Sequence, residues 1–534
     1  MPAARGYREL TLEQAQDLEG VWVSAGLADA PSVPPTPLGW DLALADVELL
    51  GDALERRGAS LPRPKRRFVC VNGYAYHALV PLVKAARELL PTDALALAHA
   101  VACEALPAAR GALGGQRAAR QSLTLLAARI GRGLTKLEAR VLAHERDASQ
   151  HYRWLVEMDI GILPDDALKT TLAECLAVYR SSRMLEIEAT LDLVGCHAAL
   201  LALSRGLPEG EREHVACEAL VPDALDLATA TPSLALFSAS RRARSENGAL
   251  PTSSEFLSGF GERAAREREP HAPRWAEVPW LLDRTLMLLC QLDSRAFEAR
   301  LARARQAREQ RVAAALAAAS RTDAVLLKLL VGAAQRSATL RARLHVVRSR
   351  ALSMLRTVVL DMDRRLARLL GSAPEAGFFL RLEELLESTW RPDPRLSEVT
   401  RERHGVWRTA CEQLAPPPVL GRAAVESGEE PLRGFGVGDA TLVGAVTVAN
   451  DFENALALEP GGVLVVRTLE PGWAPLLPLA GAIVTDAGGA TSEGVLAAAA
   501  LGIPLVVGTR RATRRLTAGV RVTVDTRRGS VELE

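Results

Sequence analysis

A chain of 534 residues is long enough for about two to four folded domains. Hydrophobic residues make up 48% and charged residues 24%, which is ordinary for a protein that buries large cores. A net charge of +1 argues against nucleic acid as a bulk partner. Because the chain has neither the roughly 20 apolar residues of a membrane helix nor an apolar signal core at its start, we expect a soluble, cytoplasmic protein with no membrane partner.

The cysteines indicate the redox state and argue against one class of metal site. Seven are present, an odd number with no paired spacing, which is typical of reduced thiols. The sequence does not contain the two CxxC motifs that would together supply the four cysteine ligands of a zinc site. The sequence therefore predicts no metal.

The first hundred residues combine a proline-rich loop with a β-hairpin. We predict a short amphipathic helix over residues 13–25 and an extended loop where prolines occupy positions 34, 35 and 37. Residues 39–57 have a helical pattern, and residues 67–76 have the composition of strands. Asn72-Gly73 in that second segment is a strong signal for a hairpin turn.

The middle of the chain, residues 79–372, is dominated by helical periodicity. Long helices are predicted over residues 165–206, 276–319 and 322–370, with an exposed arginine-rich stretch at 300–311. Two glycine clusters, at 110–116 and 131–136, do not match the G-x-x-x-x-G-K-[ST] phosphate loop and follow no apolar strand. Both are interpreted as loops between helices.

The C-terminal region is predicted to form a compact α/β domain. Three consecutive prolines at 416–418 indicate a stiff connector. Strands are expected at 442–448, 463–466, 481–485, 505–507 and 520–524. A glycine turn and an alanine-rich helix that ends at Gly502 separate the third of these strands from the fourth. The glycines let backbone N–H groups converge at a helix N-terminus, where an anion is favoured.

The segment TDAGGATSEGVLAAAALGIPLVVG, residues 485–508, resembles the phosphohistidine (swivelling) domain of phosphoenolpyruvate-utilising enzymes. The preceding EPGWAPLLPLAG is most similar to the rifampicin phosphotransferase branch of that family. The family pattern D-x-G-G-x-x-[ST]-H implies a phosphate loop made of Gly488, Gly489, Thr491 and Ser492. Its carrier histidine is replaced here by Glu493, and the arginine of the A-x-x-A-R-E stretch that follows is absent.

The resemblance extends upstream, where PPTPLGW precedes FVCVNGYAYHAL and where residues 259–279 are similar to the family's Y-G-H-R…E…P-R-W-x-E-x-P segment. In this segment the resemblance implies a substrate-domain motif made of Arg263, Glu267, Arg274 and Trp275. From the residues alone, a buried Arg–Glu pair is interpreted as a structural ion pair. The resemblance implies a multidomain protein in three parts. Residues 1–413 form a mainly α-helical, substrate-binding-like domain with a small N-terminal β-hairpin, residues 414–430 a proline-rich linker, and residues 431–534 an α/β swivelling domain.

In the family, an ATP-grasp domain binds ATP and phosphorylates the carrier histidine. We expect this chain, which begins at the substrate domain and carries Glu493, to be unable to transfer phosphoryl groups alone, so its enzyme status is left open. A carboxylate can form an acyl-phosphate, but a glutamate in a first helical turn also complements the helix dipole, and Ser492 is a candidate N-cap.

Three functional hypotheses follow from the sequence. The first is a protein that binds a small molecule or a partner, with no cofactor of its own. The second is one subunit of a split phosphotransferase, which would need ATP and Mg²⁺ through a separate ATP-grasp subunit. The third is a scaffold without a ligand. The sequence names no substrate.

Overall fold

The computed structural model describes residues 8–24, 31–61, 68–90, 97–98, 120–204, 207, 209–245, 253–370, 375–387, 394–413, 415–422 and 432–534. The predicted fold class is confirmed, because a mainly helical region with a small sheet is followed by a strand-rich C-terminal domain. The glycine cluster at 110–116 lies outside the described residues.

The N-terminal sheet has the order β1-β3-β4-β2-β5. Its strands are β1 (Arg8–Leu10), β2 (Trp22–Ser24), β3 (Phe68–Val71), β4 (Tyr74–Ala78) and β5 (Val419–Leu420). The predicted hairpin is confirmed, with Asn72 and Gly73 at φ values of 48° and 80° between β3 and β4. The helix expected over 13–25 is wrong, since α1 (Leu12–Gln16) is short and β2 follows it. Gly20, at a φ of 84°, turns the chain so that β2 pairs with β4.

The helical region is built around three long helices that pack side by side. They are α4 (Arg120–Glu157), α5 (Asp165–Leu203) and α11 (Arg321–Leu370). The other helices in this region are α2 (Pro37–Arg56), α3 (Leu79–Leu89), α6 (Glu209–Glu218), α7 (Thr231–Ser245), α8 (Ser254–Phe260), α9 (Pro279–Leu289), α10 (Ser294–Ala318), α12 (Leu382–Glu387) and α13 (Pro394–Glu412).

Three sequence predictions about the helices need correction. The loop expected at 131–136 is wrong, because Gly131 and Gly133 lie inside α4, where a Cβ at either position would meet no atom within 4 Å. The single helix expected over 276–319 is divided into α9 and α10, with Asp293 accepting a hydrogen bond from the Arg295 N–H as N-cap. Pro37 does not forbid helix but begins α2 at its first position, where its missing N–H costs nothing.

The C-terminal domain contains an eight-stranded sheet in the order β6-β13-β12-β8-β9-β10-β11-β7. Strands β8, β9, β10 and β11 are parallel to one another, as expected for a βαβ arrangement, and they carry the predicted apolar segments. The outer neighbours β12 and β7 pair antiparallel with β8 and β11. The strands are β6 (Leu432–Arg433), β7 (Phe435–Val437), β8 (Thr441–Ala449), β9 (Val463–Val466), β10 (Ala482–Thr485), β11 (Leu505–Val507), β12 (Arg521–Asp525) and β13 (Ser530–Leu533). The helices are α14 (Phe452–Ala455), α15 (Glu493–Ala500) and α16 (Ala512–Arg515), with 3₁₀ turns over Pro471–Leu479.

The proline connector is held by both domains. Its strand β5 pairs with β2 of the N-terminal sheet, and the Tyr76 hydroxyl donates to the Pro417 carbonyl over 2.8 Å. From the C-terminal domain, Arg467 donates to the Pro416 carbonyl over 2.8 Å. The described part of the connector is therefore an ordered bridge.

The two domains are in close contact along the 3₁₀ segment and α15. Arg300 donates to the Ala480 carbonyl over 2.9 Å, and Arg308 donates to the Ala499 carbonyl over 3.0 Å. A Cβ on Gly472 would collide with the Ala264 carbonyl oxygen of the helical domain. Arg311 also pairs with Asp439 over 2.8 Å, so the arginine-rich stretch of α10, expected to be exposed, places three of its side chains against the C-terminal domain.

Within the described ranges, no helix combines the length and the apolar character needed to cross a membrane. The six described cysteines are free thiols, which agrees with the reduced state predicted from their number and spacing.

Candidate functional site

The turn before α15 presents Glu493 to the helical domain. Gly488 has a φ of 120°, a conformation that favours glycine, and the Gly489 N–H donates to the Ser492 hydroxyl oxygen over 2.9 Å. Ser492 occupies the N-cap position, as expected, but its side chain makes no capping hydrogen bond to the helix. Glu493 is the first residue of α15 and is only 3% exposed.

Helix α11 of the helical domain supplies cationic partners for this carboxylate. Glu493 Oε2 lies 2.5 Å from Nδ1 of His345, and Glu493 Oε1 lies 3.2 Å from Nε of Arg341. Arg341 also donates to the Thr491 carbonyl. Because Arg341 and His345 are four residues apart, they lie on one face of α11 and contact the same turn.

A chain of ion pairs continues from His345 into the helical domain. Nε2 of His345 contacts the Glu267 carboxylate, which in turn is bonded to Nε of Arg263. All three side chains are at most 1% exposed. Arg263 and Glu267, predicted as part of the substrate-domain motif, therefore lie next to the residues that contact Glu493.

Further charges extend the cluster on its other side. Glu186 Oε2 lies 2.8 Å from Nε of Arg348 and 3.2 Å from Nη1 of Arg183, and Nη2 of Arg348 lies 2.7 Å from Nδ1 of His345. Arg183 also pairs with Asp46 over 2.9 Å. With His345 protonated, four arginines and one imidazolium face four carboxylates, which leaves one positive charge in excess.

The pKa shifts follow from these contacts. Burial alone would raise the pKa of Glu493, but His345 and Arg341 outweigh it and lower that pKa to about 2. Burial is likewise outweighed at Glu267, where Arg263 and His345 lower the pKa to about 2. For His345, burial favours the neutral ring, yet the Glu493 and Glu267 carboxylates raise its pKa above the ordinary value. At Glu493, Glu267 and His345 the neighbouring charges thus favour the charged form of each group.

Three of these side chains could in principle hold a metal ion. One ligand atom each from Glu186, His345 and Glu493 lies within 4.8 Å of the others. However, Arg341 and Arg348 already contact these carboxylates, so a divalent cation would face two neighbouring positive charges. The contacts favour an anionic group in this position over a metal ion.

A cavity of about 110 Å³ lies beside the cluster. Arg183 and Arg348 line it, so they connect the cavity to the ion pairs around Glu493. From the C-terminal domain, Glu470 reaches the wall of the cavity and accepts a hydrogen bond from the Ser32 hydroxyl. Burial raises the pKa of Glu470, which favours its neutral form. The apolar part of the lining comes from Val33, Pro35, Leu42, Val47, Leu50 and Ile187.

The other two residues of the predicted motif lie beside Arg263, and the Trp275 backbone N–H donates to the Arg263 carbonyl over 2.7 Å. The Arg274 N–H donates to Glu277 over 3.0 Å, and Trp275 is buried against Phe256 with a ring-centroid distance of 5.5 Å. Both stabilise the loop that carries Arg263. Sequence reasoning missed His345, Arg341, Arg348 and Glu186, although arginine and histidine at positions 341, 345 and 348 share one helical face. That spacing, with three cationic groups pointing the same way, was the available signal.

Comparisons with known proteins match two separate regions of the chain. Residues 458–529 match the PEP-utilising enzyme mobile domain, and residues 226–342 match the rifampicin phosphotransferase fourth domain. These regions contain the turn with Glu493 and the motif with Arg263. The resemblance to both groups, predicted from sequence, is confirmed.

The similar proteins are longer than the matched regions. A phosphoenolpyruvate synthase of Aeropyrum pernix is 43% identical over 128 residues, 24% of this chain and 15% of that protein. A rifampicin phosphotransferase of Streptomyces sviceus is 29% identical over 301 residues, 52% of this chain and 34% of that protein. The matched part of the chain therefore spans 15% and 34% of the length of these two relatives.

Proposed function

Because the chain carries a PEP-utilising enzyme mobile domain and a rifampicin phosphotransferase fourth domain, we propose that it is a phosphotransferase-like protein whose Glu493 does not carry phosphate alone. In this proposal, Glu493 holds the swivelling domain against the helical domain, and the helical domain binds a small molecule. The observation that supports it is the ion pairing of Glu493 with His345 and Arg341 in a buried site.

The chemistry of Glu493 argues against a role as carrier in this arrangement. A carboxylate with a pKa of about 2 is a weak nucleophile, and both of its oxygens already contact cations. Since the side chain is 3% exposed, a phosphoryl donor could reach it only if the domains separated. Separation would break the contacts of Glu493 with Arg341 and His345.

The surroundings of Glu493 also explain why a carboxylate is stable there. Arginine and protonated histidine are groups that bind phosphate, and they bind a carboxylate through the same charge-assisted hydrogen bonds. Glu493 provides a permanent negative charge to this cationic site. A phosphorylated side chain would provide such a charge only transiently.

The proposal is tested by incubating the purified chain with ATP and Mg²⁺, and separately with phosphoenolpyruvate and Mg²⁺. We expect neither AMP nor pyruvate to form and no increase in intact mass, measured by mass spectrometry at neutral pH. A phosphoenolpyruvate synthase treated in parallel is the positive control. Phosphate on Glu493 would overturn the proposal.

A second arm separates the split-phosphotransferase alternative. A separately expressed ATP-grasp protein is added to the same mixture with ATP and Mg²⁺. If mass spectrometry finds no phosphate on the chain, the result agrees with the proposal. Phosphate on Glu493 that appears only with the added protein establishes the alternative, in which this chain is the substrate and swivelling subunit.

A further inference from the structure

The cavity beside the Glu493 cluster has a chemical character that limits its ligand. Its volume of about 110 Å³ is below the roughly 150 Å³ of a cavity that holds benzene, so one small branched or cyclic group fits. Apolar side chains such as Leu42, Val47 and Ile187 form one wall. Burying an apolar group against this wall is favourable by about 25 cal/mol per Å².

The charged part of the lining has an excess of positive charge. Four arginines at positions 183, 266, 268 and 348 line the cavity. Arg183 is neutralised by Asp46, and Arg348 by Glu186. Glu269 accepts hydrogen bonds from the backbone N–H and hydroxyl of Thr36. The lining itself holds these four arginines against three carboxylates, Asp46, Glu269 and Glu470.

Arg266 is the arginine best placed to meet a ligand. It is half-buried at the cavity wall, and within the part of the chain that the structure describes its side chain makes no hydrogen bond or ion pair. An arginine in this position presents a planar set of donors that matches a carboxylate in a bidentate manner. The positive charge of Arg266 also acts on the neighbouring Glu470, where it opposes the rise in pKa that burial causes.

We propose that the cavity binds a small carboxylate with a compact, branched apolar body, whose carboxylate pairs with Arg266 while the body packs on the wall formed by Leu42, Val47 and Ile187. This inference rests on the proposed small-molecule function and specifies its ligand class. Because Arg348 and Glu470 belong to the same cavity, the ligand lies against both domains at once.

The test is isothermal titration calorimetry of the full chain with three probes of nearly equal shape. They are 3-methylbutanoate, its neutral amide 3-methylbutanamide and its cationic analogue 3-methylbutylamine. We expect the carboxylate to bind at least tenfold more tightly than the amide, and the amine not to bind. Equal or tighter binding of the amide overturns the carboxylate class but leaves small-molecule binding intact.

Two substitutions and one control variant identify the residues that bind the probes. Arg266→Gln should weaken carboxylate binding at least tenfold and leave amide binding unchanged, whereas Arg321→Gln, at an exposed position on α11, should change neither. Ala43→Phe, which fills the cavity from α2, should remove binding of both. An unchanged carboxylate affinity in Arg266→Gln, or no binding of any probe to the wild-type chain, overturns the inference. The phosphate measurement on Glu493 is independent of these results.

Discussion

Two carboxylates of the swivelling domain lie at its boundary with the helical domain, and they behave in opposite ways. Glu493 contacts Arg341 and His345, and its pKa falls to about 2. Glu470 is also buried, but its hydrogen bonds come from Ser32, and burial raises its pKa. The difference indicates that the groups facing a buried carboxylate, rather than burial itself, decide the direction in which its pKa shifts.

This contrast assigns different roles to the two parts of the boundary. Around Glu493, opposite charges are paired in a buried contact, which makes the docking of the domains dependent on each partner. Around Glu470, a cavity remains, and a neutral carboxyl can accept or donate hydrogen bonds there. One part holds the domains together, and the other leaves space for a ligand.

The largest effect is expected for Glu493→Ala. The change leaves Arg341 and His345 buried without their carboxylate, and we expect the free energy of unfolding to fall by about 3–5 kcal/mol in urea denaturation. Glu309→Ala, which removes an exposed carboxylate paired with Arg305, is the control and should change stability by less than about 0.5 kcal/mol. Similar losses of stability in Glu493→Ala and Glu309→Ala would contradict the claim that the ion pairs of Glu493 hold the two domains together.

A steric change should separate the domains without touching a charge. In Gly472→Ala, the new methyl group would meet the Ala264 carbonyl oxygen across the boundary, and we expect a loss of about 1–3 kcal/mol. Hydrogen exchange should also increase on both sides of the contact. Gly332→Ala in α11 meets no atom within 4 Å and should be neutral or stabilising by up to about 1 kcal/mol. Unchanged exchange in Gly472→Ala would argue against close docking.

The loss of stability at acidic pH should depend on the protonation of Glu493 and Glu267. Each has a folded pKa of about 2, below the ordinary value of 4.5, so its contribution is complete above about pH 4.5 and is lost as the pH falls towards 2. The variant Glu493→Gln, compared with wild type in urea titrations from pH 6 to pH 2.5, should show a shallower decline. Parallel curves would mean that Glu493 is not ion-paired.

The smallest effect is expected at Glu470. Burial raises the pKa of Glu470 above the ordinary value of 4.5, so the folded state favours its neutral form. The protein is therefore not destabilised by Glu470 below pH 4.5, and it loses stability as the pH rises through the folded pKa of this group. Glu470→Gln mimics the neutral form and should raise stability at pH 7 by at most about 1 kcal/mol, with no gain at pH 4. A large loss at both pH values would show that Glu470 is ionised and paired.

The sequence was most informative where local patterns decide structure. The hairpin at Asn72-Gly73, the apolar strands of the C-terminal domain and the long helices α5 and α11 each follow from turn chemistry or periodicity. It was least informative where tertiary contacts override local preference. The segment 22–24 became a strand because β4 pairs with it, and Gly131 and Gly133 remained helical because α4 packs on its neighbours.

The candidate site was predicted in part, for a similar reason. Glu493, Arg263 and Glu267 could be recognised by motif, but their partners on α5 and α11 are distant in sequence and carry no motif of their own. The linker boundaries at 414–430 stay a prediction, although β5 within this range pairs with the N-terminal sheet. Pairing between domains is set by the packing of helices, which periodicity does not specify.

The central claim, that Glu493 holds the swivelling domain through Arg341, is tested most directly by a double-mutant cycle. The free energy of unfolding is measured for wild type, Glu493→Gln, Arg341→Met and the double variant under identical conditions. We predict a coupling energy of at least about 1 kcal/mol, with the double variant less destabilised than the sum of the single variants. A coupling energy near zero would contradict the account.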